Sequence, residues 1–155
     1  MSGDEKRAPN AERLLADLPE AEIVTAVVGR DPAQIADVDW RNGTLLDPPY
    51  PFPLTPAEIG VFQSHRRCWQ RILDSGANYG LIAEDDLAVD PPRLAAALDL
   101  IAAHATPEMY IRLPVKARET PAQTLGGTGE MRFILPRTIG LQCICQVVGR
   151  GAAGR

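Results

Sequence analysis

The residues with the most chemical potential lie in one short run, "YGLIAEDDLAVD", where the apolar Leu81, Ile82 and Ala83 lead straight into Glu84, Asp85 and Asp86. Three adjacent carboxylates repel one another, and burying any of them without a partner costs several kcal/mol or forces protonation. A cation resolves the conflict. On an extended chain, residues two apart point the same way, so Glu84 and Asp86 are expected to share a face while Asp85 turns to the other. Oxygen ligands at that spacing suit a hard divalent ion, Mn²⁺ or Mg²⁺, which can also bridge a diphosphate. A solvated loop after a strand accounts for the same three acids with no ligand at all, so the run alone leaves both readings open.

The acids can act only if something fixes them in space. Residues 79–83 read as a buried strand that delivers them at its carboxyl end, which is where ligands sit in an open parallel sheet. Upstream, "LTPAEIGVFQSHRRCWQRILDSG" is the clearest helix: Thr55 as N-cap, Pro56 at the first helical position and Glu58 three residues after the cap form a capping box, and Gly76 is a suitable stop. At about 100° per residue, Ile59, Phe62, Trp69, Ile72 and Leu73 fall on one arc, with His65 and Arg66 inside it. Polar groups on a buried face need partners. His65 is expected to point inward, either as a satisfied core histidine or beside the carboxylates, and Arg66 to pair with an acid of the motif or with a phosphate. The capping box by itself explains Glu58.

Around this unit, Asn10 is positioned to cap a short helix containing Ala11, Leu14, Leu15 and Leu18, stopped by Pro19. "AEIVTAVVG" reads as a strand, Asp31 and Pro32 open a helical turn, and a proline-rich loop runs from Asn42 to Pro53. Asp90 caps a helix opened by Pro91 and Pro92. "EMYIRLPV", "MRFILP" and "IGLQCICQVVG" read as strands, and the stretch from Lys116 to Glu130, with Gly126, Gly127 and Gly129, as a mobile loop. "GGTG" lacks the Lys-Ser/Thr continuation of a P-loop. Alternating strands and helices predict an α/β layer fold with a largely parallel sheet flanked by helices.

Composition narrows the function classes. The chain has 155 residues, suited to one domain, and a net charge of -4, with its sixteen Lys and Arg scattered rather than striped, which argues against nucleic acid as a partner. The three cysteines, Cys68, Cys143 and Cys145, form neither a disulfide framework nor a zinc pattern. The apolar runs are far shorter than a transmembrane segment, and the charged start has no secretory h-region, which makes a cytoplasmic protein the expectation.

Taken together, Ala57, Glu58, Ile59, Gly60, Ser64, His65 and Trp69, followed by Glu84, Asp85 and Asp86, resemble the signature of glycosyltransferase family 25, the lipopolysaccharide-type sugar transferases. Weaker likeness extends to "ERLLADLPEAEIVTAVVGRD" and "MYIRL". The resemblance implies a GT-A-like (Rossmann-like) fold and metal-dependent transfer of a hexose from a nucleotide sugar, UDP-hexose by expectation, to a glycan or glycolipid acceptor such as lipopolysaccharide. It implies Glu84 and Asp86 as ligands of Mn²⁺ or Mg²⁺ and Ser64, His65 and Asp85 as donor-binding residues. Family members invert the anomeric centre, which requires a base on the acceptor hydroxyl, and no residue here is matched to that base.

Against the family pattern, residues 1–155 read as a single glycosyltransferase-like domain lacking a first strand and a C-terminal part, with Ala57 replacing the signature's first Gly. Exposed apolar surface in such a fragment would favour a homo-oligomer, and lipid-linked acceptors would place it peripherally at the inner membrane. The rival reading is a noncatalytic remnant that binds nucleotide or a partner chain through the same surface. A metal-dependent hydrolase is a distant third, since hydrolase motifs are absent.

Overall fold

Local chemistry sets the longest element. Thr55 accepts a hydrogen bond from the Glu58 N–H at 3.2 Å, and the Glu58 carboxylate accepts one from the Thr55 N–H at 2.7 Å, so the expected capping box is complete. In this computed structural model, which describes residues 5–18, 20–38, 52–140 and 142–155, the chain forms α1 (Ala8–Asp17), α2 (Pro32–Ile35), α3 (Pro56–Ser75), β1 (Tyr79–Ala83), α4 (Pro91–His104), β2 (Tyr110–Arg112), β3 (Pro121–Thr128), β4 (Met131–Pro136), β5 (Cys145–Gly149) and α5 (Arg150–Ala153). Gly76 ends α3 with φ 74°, a left-handed conformation that glycine adopts without a steric penalty. The expected stop at Pro19 and most of the proline-rich stretch from Asn42 lie outside the described residues.

The α/β class holds, but the largely parallel sheet does not. The three-stranded sheet has the order β1-β5-β2, and β5 is antiparallel to both neighbours, with Ile82 and Arg112 each opposite Gln146. β1 and β2 therefore run in the same direction, joined through α4, and β5 enters between them in reverse. The apolar run of β5 marks a buried strand, and such a run carries no information about direction.

Side-chain alternation divides the sheet into two faces. On one, Ile82 and Val148 pack against Ile72 of α3, which approaches so closely that a Cβ on Gly80 would collide with the Ile72 side chain. On the other, Val147 and Ile111 pack with Ile101 of α4 and Phe133 of β4. A third cluster, Leu14, Leu87 and Cys145, seats α1 below the acidic run.

Four further expectations are corrected. The stretch 116–130 is not a mobile loop: residues 121–128 form β3, which pairs with β4, and Gly126 lets the His104 side chain of α4 lie against the hairpin. Residues 21–28 form no ladder among the described residues, because they lie along α3, and the Val27 N–H is taken by Ser64 Oγ while the Thr25 carbonyl accepts from Arg67. Asn10 does not cap α1. The helix starts at Ala8, with Pro9 in the first turn where a missing N–H costs nothing, and this frees the Asn10 side chain for other work. Phe62 is 54% exposed rather than in the core; it lies at the rim and meets Trp69 edge-on.

Two carboxyls are held below the ordinary glutamate range. Hydrogen bonds from the Thr55 N–H and hydroxyl lower Glu58. Glu119 is lowered by its own N–H and that of Arg118, and then by the adjacent Arg112 guanidinium at 3.0 Å. The unfolded chain therefore binds these protons first. Their contribution to stability is complete above the unfolded value, about 4.3, and is lost as pH falls through the depressed folded values. The melting temperature followed by circular dichroism is expected to fall on acidification below that value, and Glu119→Gln to make the decline shallower. An unchanged acid slope would remove Glu119 from this account.

Candidate functional site

The acidic run leaves the end of β1 and turns at once. The Glu84 N–H donates to the Ile144 carbonyl at 2.9 Å, extending the ladder by one residue, and the Leu87 N–H donates back to the Glu84 carbonyl at 3.0 Å, closing a turn around Asp85 and Asp86. Leu87 is buried against Leu14 and Cys145 and anchors the far side of that turn. The chain is thus not extended through the three acids, and their side chains separate by partner.

Asp85 and Asp86 share one cation. Arg7, at the start of α1, places Nη1 at 2.7 Å from Asp85 Oδ1 and Nη2 at 3.3 Å from Asp86 Oδ2. One helical turn on, the Asn10 amide donates to the Asp85 carbonyl at 2.9 Å and to the Leu87 carbonyl at 2.8 Å. α1 therefore clamps both the charge and the backbone of the turn.

Glu84 takes a different partner. His65, in the N-terminal half of α3, turns inward with its side chain 11% exposed, and its Nε2 lies 3.3 Å from Glu84 Oε1. Its Nδ1 faces the Gln146 amide nitrogen at 2.9 Å. The neighbouring Ser64 hydroxyl accepts from the Val27 N–H at 2.9 Å and donates to the Gly60 carbonyl at 2.7 Å, which ties residues 21–29 to the helix. Arg66 is exposed and lines a cavity of about 370 Å³ bounded by α3, residues 27–38 and Ala153, together with Arg67, Trp69 and Gln34.

Burial raises the Tyr110 hydroxyl to about 12, reinforced by the adjacent Cys143 thiol, and raises the Cys145 thiol to about 11. Both stay protonated near neutral pH and act there as neutral groups. Sequence reasoning missed Arg7, Asn10 and Gln146. Only Gln146 left a signal, as the one polar residue in the run Cys145–Gly149.

Among the described residues, no three His, Cys, Asp or Glu side chains converge into a metal cage. The donor set nevertheless suits a hard ion. Its groups are carboxylate oxygens, the Asp85–Asp86 pair already accepts a cation, and Mg²⁺-type sites use one or two carboxylates completed by substrate phosphates and water.

The family model described as "Glycosyltransferase family 25 (LPS biosynthesis protein)" matches residues 6–123. The chain belongs to glycosyltransferase family 25. The match takes in Arg7, Asn10, α3, the acidic turn and β2 and ends within β3, so the clamp and the acids it holds fall within the family-25 segment. The chain is also similar to procollagen galactosyltransferase 1 of Danio rerio, with 37% identity over 90 residues, covering 53% of this chain and 15% of that protein. It thus spans about 15% of the length of that curated relative. No helix among the described residues is long and apolar enough to cross a membrane.

Proposed function

We propose that this family-25 chain carries the donor-binding part of a metal-assisted hexosyl transfer from a nucleotide sugar to an acceptor hydroxyl. The observation that carries the reading is the acidic turn at the carboxyl end of β1, with Glu84 facing His65 and Asp86 at the open side of the turn. Glu84 and Asp86 are the proposed metal ligands, with the ion, Mn²⁺ or Mg²⁺, offsetting charge on the departing diphosphate when bound. Asp85 is the proposed donor-facing group, and His65 serves the donor through Glu84, which its Nε2 faces at 3.3 Å. Ser64 acts on the donor through the backbone wall that it holds between Val27 and Gly60.

A GT-A-type donor fold belongs to this reading, as do a cytoplasmic location at the inner membrane and self-association. The relative's name supports galactose as the hexose. For the acceptor, the family description points to lipopolysaccharide and the relative's name to procollagen; the shared chemistry is a hydroxyl on a large polymer. Transfer from UDP-galactose to lipooligosaccharide and to collagen peptides, followed by product mass, is the test. Mn²⁺-dependent transfer is expected, falling about a hundredfold in Asp86→Asn, as when one charge-stabilising group is removed from an active site. Full activity in Asp86→Asn would overturn the ligand role.

One observation favours a second reading, a noncatalytic remnant that binds nucleotide or a partner. Arg7 already supplies the positive charge that the Asp85–Asp86 pair requires. Nucleotide binding without transfer is its expected outcome in the same assay.

A further inference from the structure

Gln146 is fully buried, 0% exposed, and is the one polar side chain of β5, the middle strand. Its amide nitrogen donates to the Cys143 carbonyl at 3.0 Å and lies 2.9 Å from His65 Nδ1, while its amide oxygen has no hydrogen-bond partner. An apolar side chain of similar size would avoid that orphaned oxygen, so the useful end of Gln146 is its nitrogen.

The amide cannot be turned over. A backbone carbonyl only accepts, so the atom facing Cys143 O must be the NH₂ group, and the same NH₂ faces His65 Nδ1. Nδ1 must then offer its lone pair. A neutral imidazole has one N–H, which leaves it on Nε2, directed at Glu84 Oε1.

We propose that Gln146 is a positioning residue that locks His65 in the Nε2–H tautomer, making it a hydrogen-bond donor to Glu84. Both ring nitrogens are then committed, and His65 is not the base that accepts the acceptor's proton. Its part is to hold one oxygen of Glu84, whose other oxygen, Oε2, has no protein partner among the described residues. What Glu84 does with that oxygen rests on the proposed transferase reading; the tautomer does not.

The lock is readable without any activity. The chain has two histidines, His65 and His104, so a two-bond ¹H–¹⁵N spectrum of protein labelled at histidine contains two imidazoles, and His104→Gln identifies His65. In a spectrum recorded at alkaline pH, wild-type His65 is expected to show a single Nε2–H pattern. Gln146→Leu should release it to a mixture of tautomers, and Gln146→Glu, whose carboxylate only accepts, should place a proton on Nδ1. A wild-type His65 with Nδ1–H, or with a mixed pattern, overturns the proposal even if neither variant folds. So does a pattern unchanged in Gln146→Leu. Failure of sugar transfer with the Nε2–H pattern intact would count against the transferase reading and leave the lock standing.

Discussion

Gly60→Val is expected to cost about 3 kcal/mol or more and to detach residues 21–38 from α3. Gly60 sits where α3 crosses Gly29: a Cβ at Gly60 would lie 2.6 Å from the Gly29 nitrogen and 2.8 Å from the Val27 carbonyl oxygen, and one at Gly29 would overlap the Pro56 carbonyl. These neighbours are backbone atoms, which cannot move aside as a flexible side chain does. Overpacking usually costs 1–3 kcal/mol, and a clash with main chain on both sides belongs at the upper end of that range or above it. Separation also breaks the bond from the Val27 N–H to Ser64, so hydrogen exchange at Val27 should accelerate along with the loss of stability in urea. Gly60→Val with wild-type stability and Val27 protection would show that the two segments are not packed as described.

How well the sequence announced each feature depended on the range of the interactions that fix it. α3 could be bounded from sequence because its cap, its Pro56 and its Gly76 are local, and the acids could be placed at a strand end because Leu81 to Ala83 precede them directly. The direction of β5 was hidden, since the buried run of Cys145 to Gly149 fits either orientation. The β3–β4 hairpin was hidden by Gly126 and Gly127, which read as loop residues until the ring of His104 is seen lying against the first of them. The Arg7–Asp85 contact joins residues 78 apart, and the charged residues before α1 carry no periodicity that suggests a fixed position for Arg7. Gln146 was conspicuous as a polar residue in an apolar strand, but its partner lies 81 residues away on another layer.

The clamp on the acidic turn leads to the second large effect. On the proposed donor-site reading, Arg7 and the divalent cation compete for Asp86, so metal binds there only against the chain's own guanidinium. Asp86 is half-exposed and its ion pair with Arg7 is weak, whereas Asp85 is mostly shielded and holds Arg7 at 2.7 Å. Arg7→Gln removes the competitor and keeps much of the side chain's length. The unliganded protein should lose stability, because Asp85 and Asp86 then repel each other without a counter-charge, while its affinity for Mn²⁺ rises about tenfold, equivalent to about 1.4 kcal/mol. Asp86→Asn acts in the opposite sense: it relieves repulsion in the free protein and removes a charge that a hard cation requires.

The most direct test of the donor-site claim is the melting temperature of wild type, Asp86→Asn and Arg7→Gln, each with and without Mn²⁺ plus UDP. Ligand that binds only the folded state stabilises it by about 2.7 kcal/mol at one hundred times Kd. Wild type is predicted to show that gain with Mn²⁺ and UDP together, Asp86→Asn to lose it, and Arg7→Gln to reach it at about one tenth of the metal concentration. A wild-type melting temperature unmoved by millimolar Mn²⁺ and UDP, or a shift of the same size in Asp86→Asn, would contradict the claim and leave the acidic turn as a structural corner closed by Arg7.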